Sequence, residues 1–379
     1  MSSVSAIGLM SGTSYDGVDV ALINTDGENI GRVGPTGYRA YSGEERALLR
    51  RAIASAVNLS ERDERPSFLA EAETLVNNIH AEAVEMFLAA NGLPPSEIAV
   101  VGFHGQTVLH QPERGLTVQL GNGRVLAERL GIPVVYDFRA ADIASGGEGA
   151  PMVPVFHRAI ARMLDRPHPI GMLNLGGVAN LSFVDGDSEL IACDVGPGNA
   201  LIDDFLRMRT GNAQDSEGRA AAAGQIDEAA VARVLAHPFF ARHPPKSLDR
   251  NLFRTWVAEE AKLAHKNTED GAATLTAITG AAVARAVAVL PRPPASWIVA
   301  GGGTRNPTLM RMLRARLAPA VIETADAVGW SADALEAQAF AYLAVRSLRG
   351  LPISFPTTTG VPRPLTGGVL ANAARPMSG

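Results

Sequence analysis

The chain has 379 residues, 46% hydrophobic and 19% charged, which excludes a disordered or fibrous class and leaves room for two domains at roughly 150 residues each. Lys and Arg total 34 against 39 Asp and Glu, a formal net charge of -5 without any basic run interleaved with aromatics, so no nucleic acid is expected as partner. The single cysteine, Cys193, excludes an internal disulfide or a cysteine metal site, and without a signal segment or an apolar run of roughly 20 residues the expected setting is cytoplasmic, with no membrane.

The first predicted element is a hairpin over residues 7–23: an apolar run, a turn, and a second run in which Val18, Asp19 and Val20 alternate. The turn holds Ser11, Gly12, Thr13, Ser14, Tyr15, Asp16 and Gly17. Gly12 and Gly17 let the backbone bend with its amides inward, and the hydroxyls add donors, a combination that suits a phosphate tail. Asp16 and Asp19 would repel phosphate unless a cation stood between them, which points to Mg²⁺; the alternative is a plain hairpin closed by an Asp-Gly turn.

Helices are predicted over 44–57 and 67–90, the second carrying Ala72, Val76, Ile79 and Ala83 at helical spacing. A β-rich run over 98–103 then delivers His104, Gln106 and His110 at its carboxyl end, where α/β folds keep ligands. These residues either contact a sugar or shape a turn. Strands are predicted over 116–120 and 133–136, and Arg139 follows, its planar fork suited to a carboxylate or phosphoryl group, or else to a salt bridge with Asp137 or Asp142. A glycine-rich loop over 145–151 leads to a predicted helix over 153–164.

Residues 170–175, including Asn174, enter a tight turn at Gly176 and Gly177 and return over 178–184, a second strand-turn-strand able to hold phosphate. The run 190–193 ends at Asp194, followed by Gly196, Gly198, Asn199 and a helix from 200 to 207. An acidic residue at a strand end beside a helix N-terminus is a candidate general base, with a capping or turn role as the alternative. Residues 215–263 read as helical with breaks at Pro238, Pro244 and Pro245; Lys246 there is expected to be solvated, with a ligand contact as the alternative.

A long Ala-rich helix over 271–290 precedes a buried strand at 297–300, then Gly301, Gly302, Gly303, Asn306 and a helix over 308–317. Three glycines before a helix permit close approach to a base or ribose, without the spaced-glycine dinucleotide fingerprint or a Walker lysine. A further helix is predicted to start with Ser331 as its cap and to carry Glu336 among small apolar neighbours, paired or functional.

Two phosphate hairpins and one adenosine turn suggest a cleft closing on ATP from two similar domains, the plan of the sugar kinase, heat-shock chaperone and actin superfamily. The motifs resemble those of the anhydro-N-acetylmuramic acid kinases over residues 7 to about 370, with Tyr15 where Leu is expected, Val195 where Thr is usual, and Asp249-Arg250 where a Thr-Gly-Arg-like run is typical. The resemblance implies an α/β fold of two actin/hexokinase-like (RNase H-like) domains flanking an ATP cleft, drawn here as 1–138 with about 355–379, and 139–354 with a helical insertion at about 215–265. It implies an ATP-dependent kinase that hydrolyses the 1,6-anhydro bond of anhydro-N-acetylmuramate and phosphorylates O6, as a homodimer in peptidoglycan recycling. Asp194 matches the family's general base. ATP would meet Gly12 to Asp19, Asn174, Gly176, Gly177, Gly301 to Gly303 and Asn306, with Mg²⁺ at Asp16 and Asp19 through water. The sugar would meet Arg139, Glu336, His104 and Gln106. Competing readings are a kinase of an ordinary hexose or acyl acid, and an ATP-gated binding module.

Overall fold

The computed structural model describes residues 2–12, 15–248 and 250–373. Thr13, Ser14 and Asp249, named above, lie outside the described residues. The first strands are β1 (Val4–Met10), β2 (Gly17–Thr25), β3 (Ile30–Ala40), β4 (Val100–Phe103), β5 (Gln106–Gln111), β6 (Leu116–Leu120) and β7 (Val134–Tyr136). They are followed by β8 (Ile170–Leu175), β9 (Val178–Asp185), β10 (Glu189–Pro197), β11 (Ser296–Ala300), β12 (Val321–Thr324) and β13 (Val369–Ala371).

The chain forms two compact units, Met1–Met163 with Ala334–Gly379, and Leu164–Asp333. The sequence reading drew the division after residue 138, whereas residues 139–163 pack with the first unit. The helix Pro154–Met163 buries Val155, Phe156, Ala159 and Ile160, and the Phe156 ring lies 5.5 Å from that of Tyr342 on the helix Leu335–Leu348.

In the first unit the sheet order is β13-β7-β4-β1-β2-β3, with β1, β2 and β3 antiparallel and β1, β4 and β7 parallel. The hairpin expected at the start is present, and Met10 opposite Asp19 is its last pair. β3 was not predicted because Gly34 and Pro35 interrupt its apolar pattern; it lies at the sheet edge, where a missing donor is tolerated. The helices Gly43–Ala56 and Phe68–Asn91 occur within a residue or two of expectation, and a capping box between Ser42 and Glu45 starts the first. They contribute Leu49, Val76, Ile79 and Val84 to one core cluster with Ile7, Leu9 and Val101. Against the strands β1, β2 and β4 lies the helix Leu335–Leu348. Its approach is close because Gly8 and Gly102, paired across β1 and β4, have no side chain: a Cβ at Gly8 would stand 1.8 Å from Ala337 O, and one at Gly102 2.1 Å from Phe340 O. The helix starts at Leu335 with Ala334 in the cap position, so Ser331 does not cap it.

Three histidines of this unit are buried: His80, His104 and His157. Burial pushes His80 and His157 down to about 4 and His104 well below its ordinary 6.5, with the Arg139 charge adding to the effect at His104. The folded chain therefore binds fewer protons than the unfolded chain between those values. Their contribution to stability is present above about pH 6.5 and is lost as pH falls toward 4. Thermal unfolding followed across that interval is expected to show a falling midpoint; a flat midpoint would contradict it.

In the second unit the order is β10-β9-β8-β11-β12, with β8, β9 and β10 an antiparallel meander and β8, β11 and β12 parallel. Numbered within each sheet, both carry the order 3-2-1-4-5 with the same strand directions, as expected of a pair of actin/hexokinase-like domains, and the first adds β13 as a sixth strand antiparallel to β7. The fold is α/β with mixed sheets. Between β10 and β11 lie the helices Ala200–Thr210, Arg219–Ala223, Glu228–Leu235, Arg250–Glu260 and Thr268–Val287. Phe205, Val231, Phe240, Phe253 and Ile278 form a core of their own there, apart from the sheet core of Leu173, Phe183, Trp297 and Leu313.

Candidate active site

In the first hairpin, β1 runs into the turn at Ser11 and β2 leaves it at Gly17. Tyr15 has φ 58°, a left-handed conformation that a side chain adopts at a cost. Gly17 lies in the strand and serves packing rather than the turn, since a Cβ there would meet Arg39 O at 2.4 Å and the Tyr38 ring at 2.6 Å. Val18 is buried in the core, so backbone is what it has to offer a nucleotide. Asp16 is exposed and Asp19 half-buried. Burial raises the Tyr38 phenol, and Asp16 and Asp19 push it the same way, so both carboxylates bear on one place. Two hard oxygen donors beside an anion turn fit Mg²⁺, which takes one or two carboxylates and fills its shell with water and phosphate oxygens. No group of three or more His, Cys, Asp and Glu that could hold a metal ion occurs among the described residues.

A second polar cluster of the same unit gathers beyond the carboxyl ends of β4 and β7. His104 Nε2 accepts from Arg139 Nε at 3.3 Å and Nη2 at 3.1 Å, while His104 Nδ1 lies 2.9 Å from Gly105 O. With its pKa depressed, the imidazole is neutral, donates from Nδ1 and accepts at Nε2. Arg139 Nη1 donates to Gly149 O at 2.7 Å. Burial lowers the Arg139 guanidinium, while Glu336 and Asp142 oppose that, which places the Glu336 charge near it. The salt-bridge alternatives are otherwise engaged: Asp137 pairs with Arg62 at 2.7 Å, and Asp142 accepts from Gly149 N at 2.7 Å and from Thr359 Oγ1 at 2.6 Å. An open cavity of about 400 Å³, in the size range of small-molecule sites, is lined in part by His104, Asn122, Arg124, Tyr136 and Asp137. Gln106, expected to meet the sugar, has no exposed surface; its Oε1 accepts from Ser11 Oγ at 2.6 Å and its Nε2 donates to Gly12 O at 3.4 Å. His110 Nδ1 lies 3.0 Å from Thr117 Oγ1.

In the second unit the Gly176–Gly177 turn between β8 and β9 is tied to the end of β10: Gly198 N donates to Gly177 O at 3.1 Å and Asn199 N to Gly176 O at 2.8 Å. A Cβ at Gly198 would come within 2.2 Å of Gly176 O. Gly301, at φ 85°, follows β11, and a Cβ there would strike Asn174 Oδ1 at 2.3 Å, which brings the two predicted nucleotide segments together. Gly302 faces open space. Asn306 caps the helix Pro307–Leu317 through Oδ1, 3.0 Å from Leu309 N, while its buried Nδ2 meets no partner among the described residues. An orphaned donor beside a glycine turn is what a ligand acceptor would satisfy.

Asp194 lies inside β10, which continues three residues beyond it, rather than at a strand end. A bulge falls between Asp194 and Gly196, and bulges re-aim side chains beside active sites. The segment after Pro245 holds it: Asp194 N donates to Lys246 O at 2.9 Å, and Leu248 N donates to Asp194 Oδ2 at 2.8 Å. Val195 is buried in the sheet core. Lys246 is not solvated as expected. It is 4% exposed, donates to Phe239 O at 3.1 Å and stands 4.7 Å from the centre of the Phe239 ring. Sequence reasoning missed Tyr41 and Thr359, whose partners Ser11 and Asp142 are distant in the chain and leave no local pattern.

The family described as Anhydro-N-acetylmuramic acid kinase matches residues 4–373. An anhydro-N-acetylmuramic acid kinase of Rhodopseudomonas palustris is 59% identical over 368 residues, covering 97% of this chain and 99% of that protein. Those of Bradyrhizobium diazoefficiens and Methylobacterium nodulans are 58% and 56% identical, each again covering 97% of this chain and 99% of the relative. Similarity to solved structures is lower, with a TM-score of 0.49 at 10% identity to component A of (R)-2-hydroxyglutaryl-CoA dehydratase from Acidaminococcus fermentans over 91% of this chain and 99% of that one, so the assignment rests on the sequence relatives. By that match, which runs through every motif described above, the chain belongs to the anhydro-N-acetylmuramic acid kinase family.

Proposed function

We propose that this kinase uses ATP and water to open the 1,6-anhydro ring of anhydro-N-acetylmuramate and phosphorylate the freed O6, giving N-acetylmuramate 6-phosphate and ADP for peptidoglycan recycling. The observation that carries the reading is Asp194, a carboxylate at a bulge of β10, the strand whose far end is tied to the Gly176–Gly177 turn, steadied by the Leu248 N–H. Water loses a proton to the Asp194 carboxylate as its oxygen bonds to the anomeric carbon. The bond from that carbon to O6 breaks, and O6 takes the γ-phosphoryl group while ADP leaves. General-base assistance of this kind is worth about a hundred- to ten-thousandfold. Holding both reactants in line supplies much of the rest.

Gly12 to Asp19 and the Gly176–Gly177 turn are our candidates for the ATP phosphates, and Asn174, Gly301, Gly302, Gly303 and Asn306 for the nucleoside. The unpartnered Asn306 Nδ2 supports that assignment. Asp16 and Asp19 would hold Mg²⁺, which when bound neutralises phosphate charge. Arg139, anchored by His104 and Gly149, offers a fixed cation to the lactyl carboxylate, and Glu336 an acceptor for sugar hydroxyls. The homodimer is carried over from the family resemblance. A cytoplasmic setting is in keeping with the single cysteine; among the described residues no helix is long and apolar enough to cross a membrane.

ADP release measured with anhydro-N-acetylmuramate, N-acetylmuramate, N-acetylglucosamine and glucose tests this reading when run in isotopically heavy water. The expected result is fastest turnover with the anhydro sugar and one solvent oxygen at the anomeric hydroxyl as it forms. Turnover led by glucose, or a product that takes up no solvent oxygen in the chemical step, would overturn it.

A further inference from the structure

The stretch that follows β1 is held on both sides by one residue from outside the hairpin, Tyr41. On its entering side, Tyr41 OH lies 3.0 Å from Ser11 Oγ, and Ser11 Oγ donates to Gln106 Oε1 at 2.6 Å. Gln106 Nε2 in turn donates to Gly12 O at 3.4 Å. On the leaving side, the Tyr41 backbone N–H donates to Asp16 O at 2.8 Å. Because Ser11 spends its one hydroxyl proton on Gln106, Tyr41 must donate to Ser11, so the chain of bonds runs one way from Tyr41 through Ser11 and Gln106 to Gly12. Burial raises the Tyr41 phenol to about 12, which keeps that donor protonated. Ser11, Tyr41 and Gln106 are all 2% exposed or less, so the chain is shielded from competing water. Between the two anchored ends stands Tyr15 in its left-handed conformation, the kind of backbone that persists where its surroundings over-determine it.

We propose that Tyr41 and Gln106 are positioning residues that hold Ser11, Gly12 and Asp16 in place for the ATP phosphates without touching ATP or sugar. This deepens the reading of residues 11–19 as a phosphate turn and rests on it. Gln106 also follows His104, which meets Arg139, so one short segment of chain fixes both the turn and the carboxylate-binding candidate.

Tyr41→Phe keeps the buried ring and deletes one hydrogen bond. Its expected effect is a rise of about five- to tenfold in KM for ATP, the worth of one net hydrogen bond, with KM for the sugar within about twofold of the parent. Gln106→Glu, which turns an acceptor toward Gly12 O, is expected to raise KM for ATP further. An unchanged KM for ATP in Tyr41→Phe, or equal rises in both KM values, overturns the proposal. A rise confined to the sugar KM in Gln106→Glu also overturns it and returns Gln106 to the sugar site. Asp19→Asn separates the underlying reading: if it leaves KM for ATP and the Mg²⁺ dependence at parent values, the phosphate turn falls and the positioning role with it. If Asp19→Asn moves both while Tyr41→Phe moves neither, the positioning role alone falls.

Discussion

Asp194→Asn is expected to bind ATP as the parent does and to turn over at least about a hundredfold more slowly, equal to about 2.7 kcal/mol of transition-state stabilisation. The substitution is chosen for what it preserves. Asn keeps an oxygen to accept the Leu248 N–H at the position of Asp194 Oδ2, and the backbone bond from residue 194 to Lys246 O is untouched. Both bonds to the segment Lys246–Leu248 thus survive the substitution, and the loss reports on the proton acceptor. Steady-state turnover together with calorimetric ATP binding makes the measurement. A variant with near-normal turnover would remove Asp194 as the base, whereas one that loses ATP binding as well would show that the carboxylate serves the nucleotide.

The second large effect is on stability. Gly8→Ala would put a methyl group 1.8 Å from Ala337 O and 2.5 Å from Ala341 N, both backbone atoms of the helix Leu335–Leu348, which have no rotamer to yield. Either the helix rises off β1 or the strand buckles, at an expected cost of about 3 kcal/mol or more, the upper range for an overpacked core. Activity would suffer with it, since Glu336 sits in the first turn of that helix. Gly43→Ala is the control. A Cβ there meets nothing within 4 Å, so a change within about 0.5 kcal/mol is expected. Urea unfolding of the pair decides the matter, and equal midpoints would contradict the close approach of helix and sheet.

What could be read from the sequence was what consecutive residues determine among themselves. The hairpin at the start follows from alternation on either side of a Ser- and Gly-rich stretch, and the turn after β8 and the break after β11 are marked by their glycines, of which Gly301 takes a φ of 85°. The helices Gly43–Ala56, Phe68–Asn91 and Pro307–Leu317 follow from periodicity and from caps written within three or four positions. Those same local motifs carry the family, so the class of reaction was also legible in advance.

Where the local pattern was weak or shared, the sequence misled. Ser331 is a plausible cap, yet the helix begins at Leu335. Lys246 looked solvated because lysine usually is, but the Phe239 carbonyl and ring receive it in the interior. The run 190–193 extends through Asp194 to Pro197 as β10 because pairing with β9 continues past the bulge.

By itself, then, the sequence determined the kinds of element, the turns fit for phosphate and the carboxylate fit for a base, because propensity, glycine freedom and residue chemistry act over a few bonds. The tertiary structure alone decided which side chains have their hydrogen-bonding capacity already spent. Gln106 looked like a sugar contact until Ser11, 95 positions away, was found on its amide, and Tyr41 had no role until its hydroxyl met the same serine. A polar group's partners are fixed by which strands pair and which helices cover them, and that pairing is a property of the whole chain.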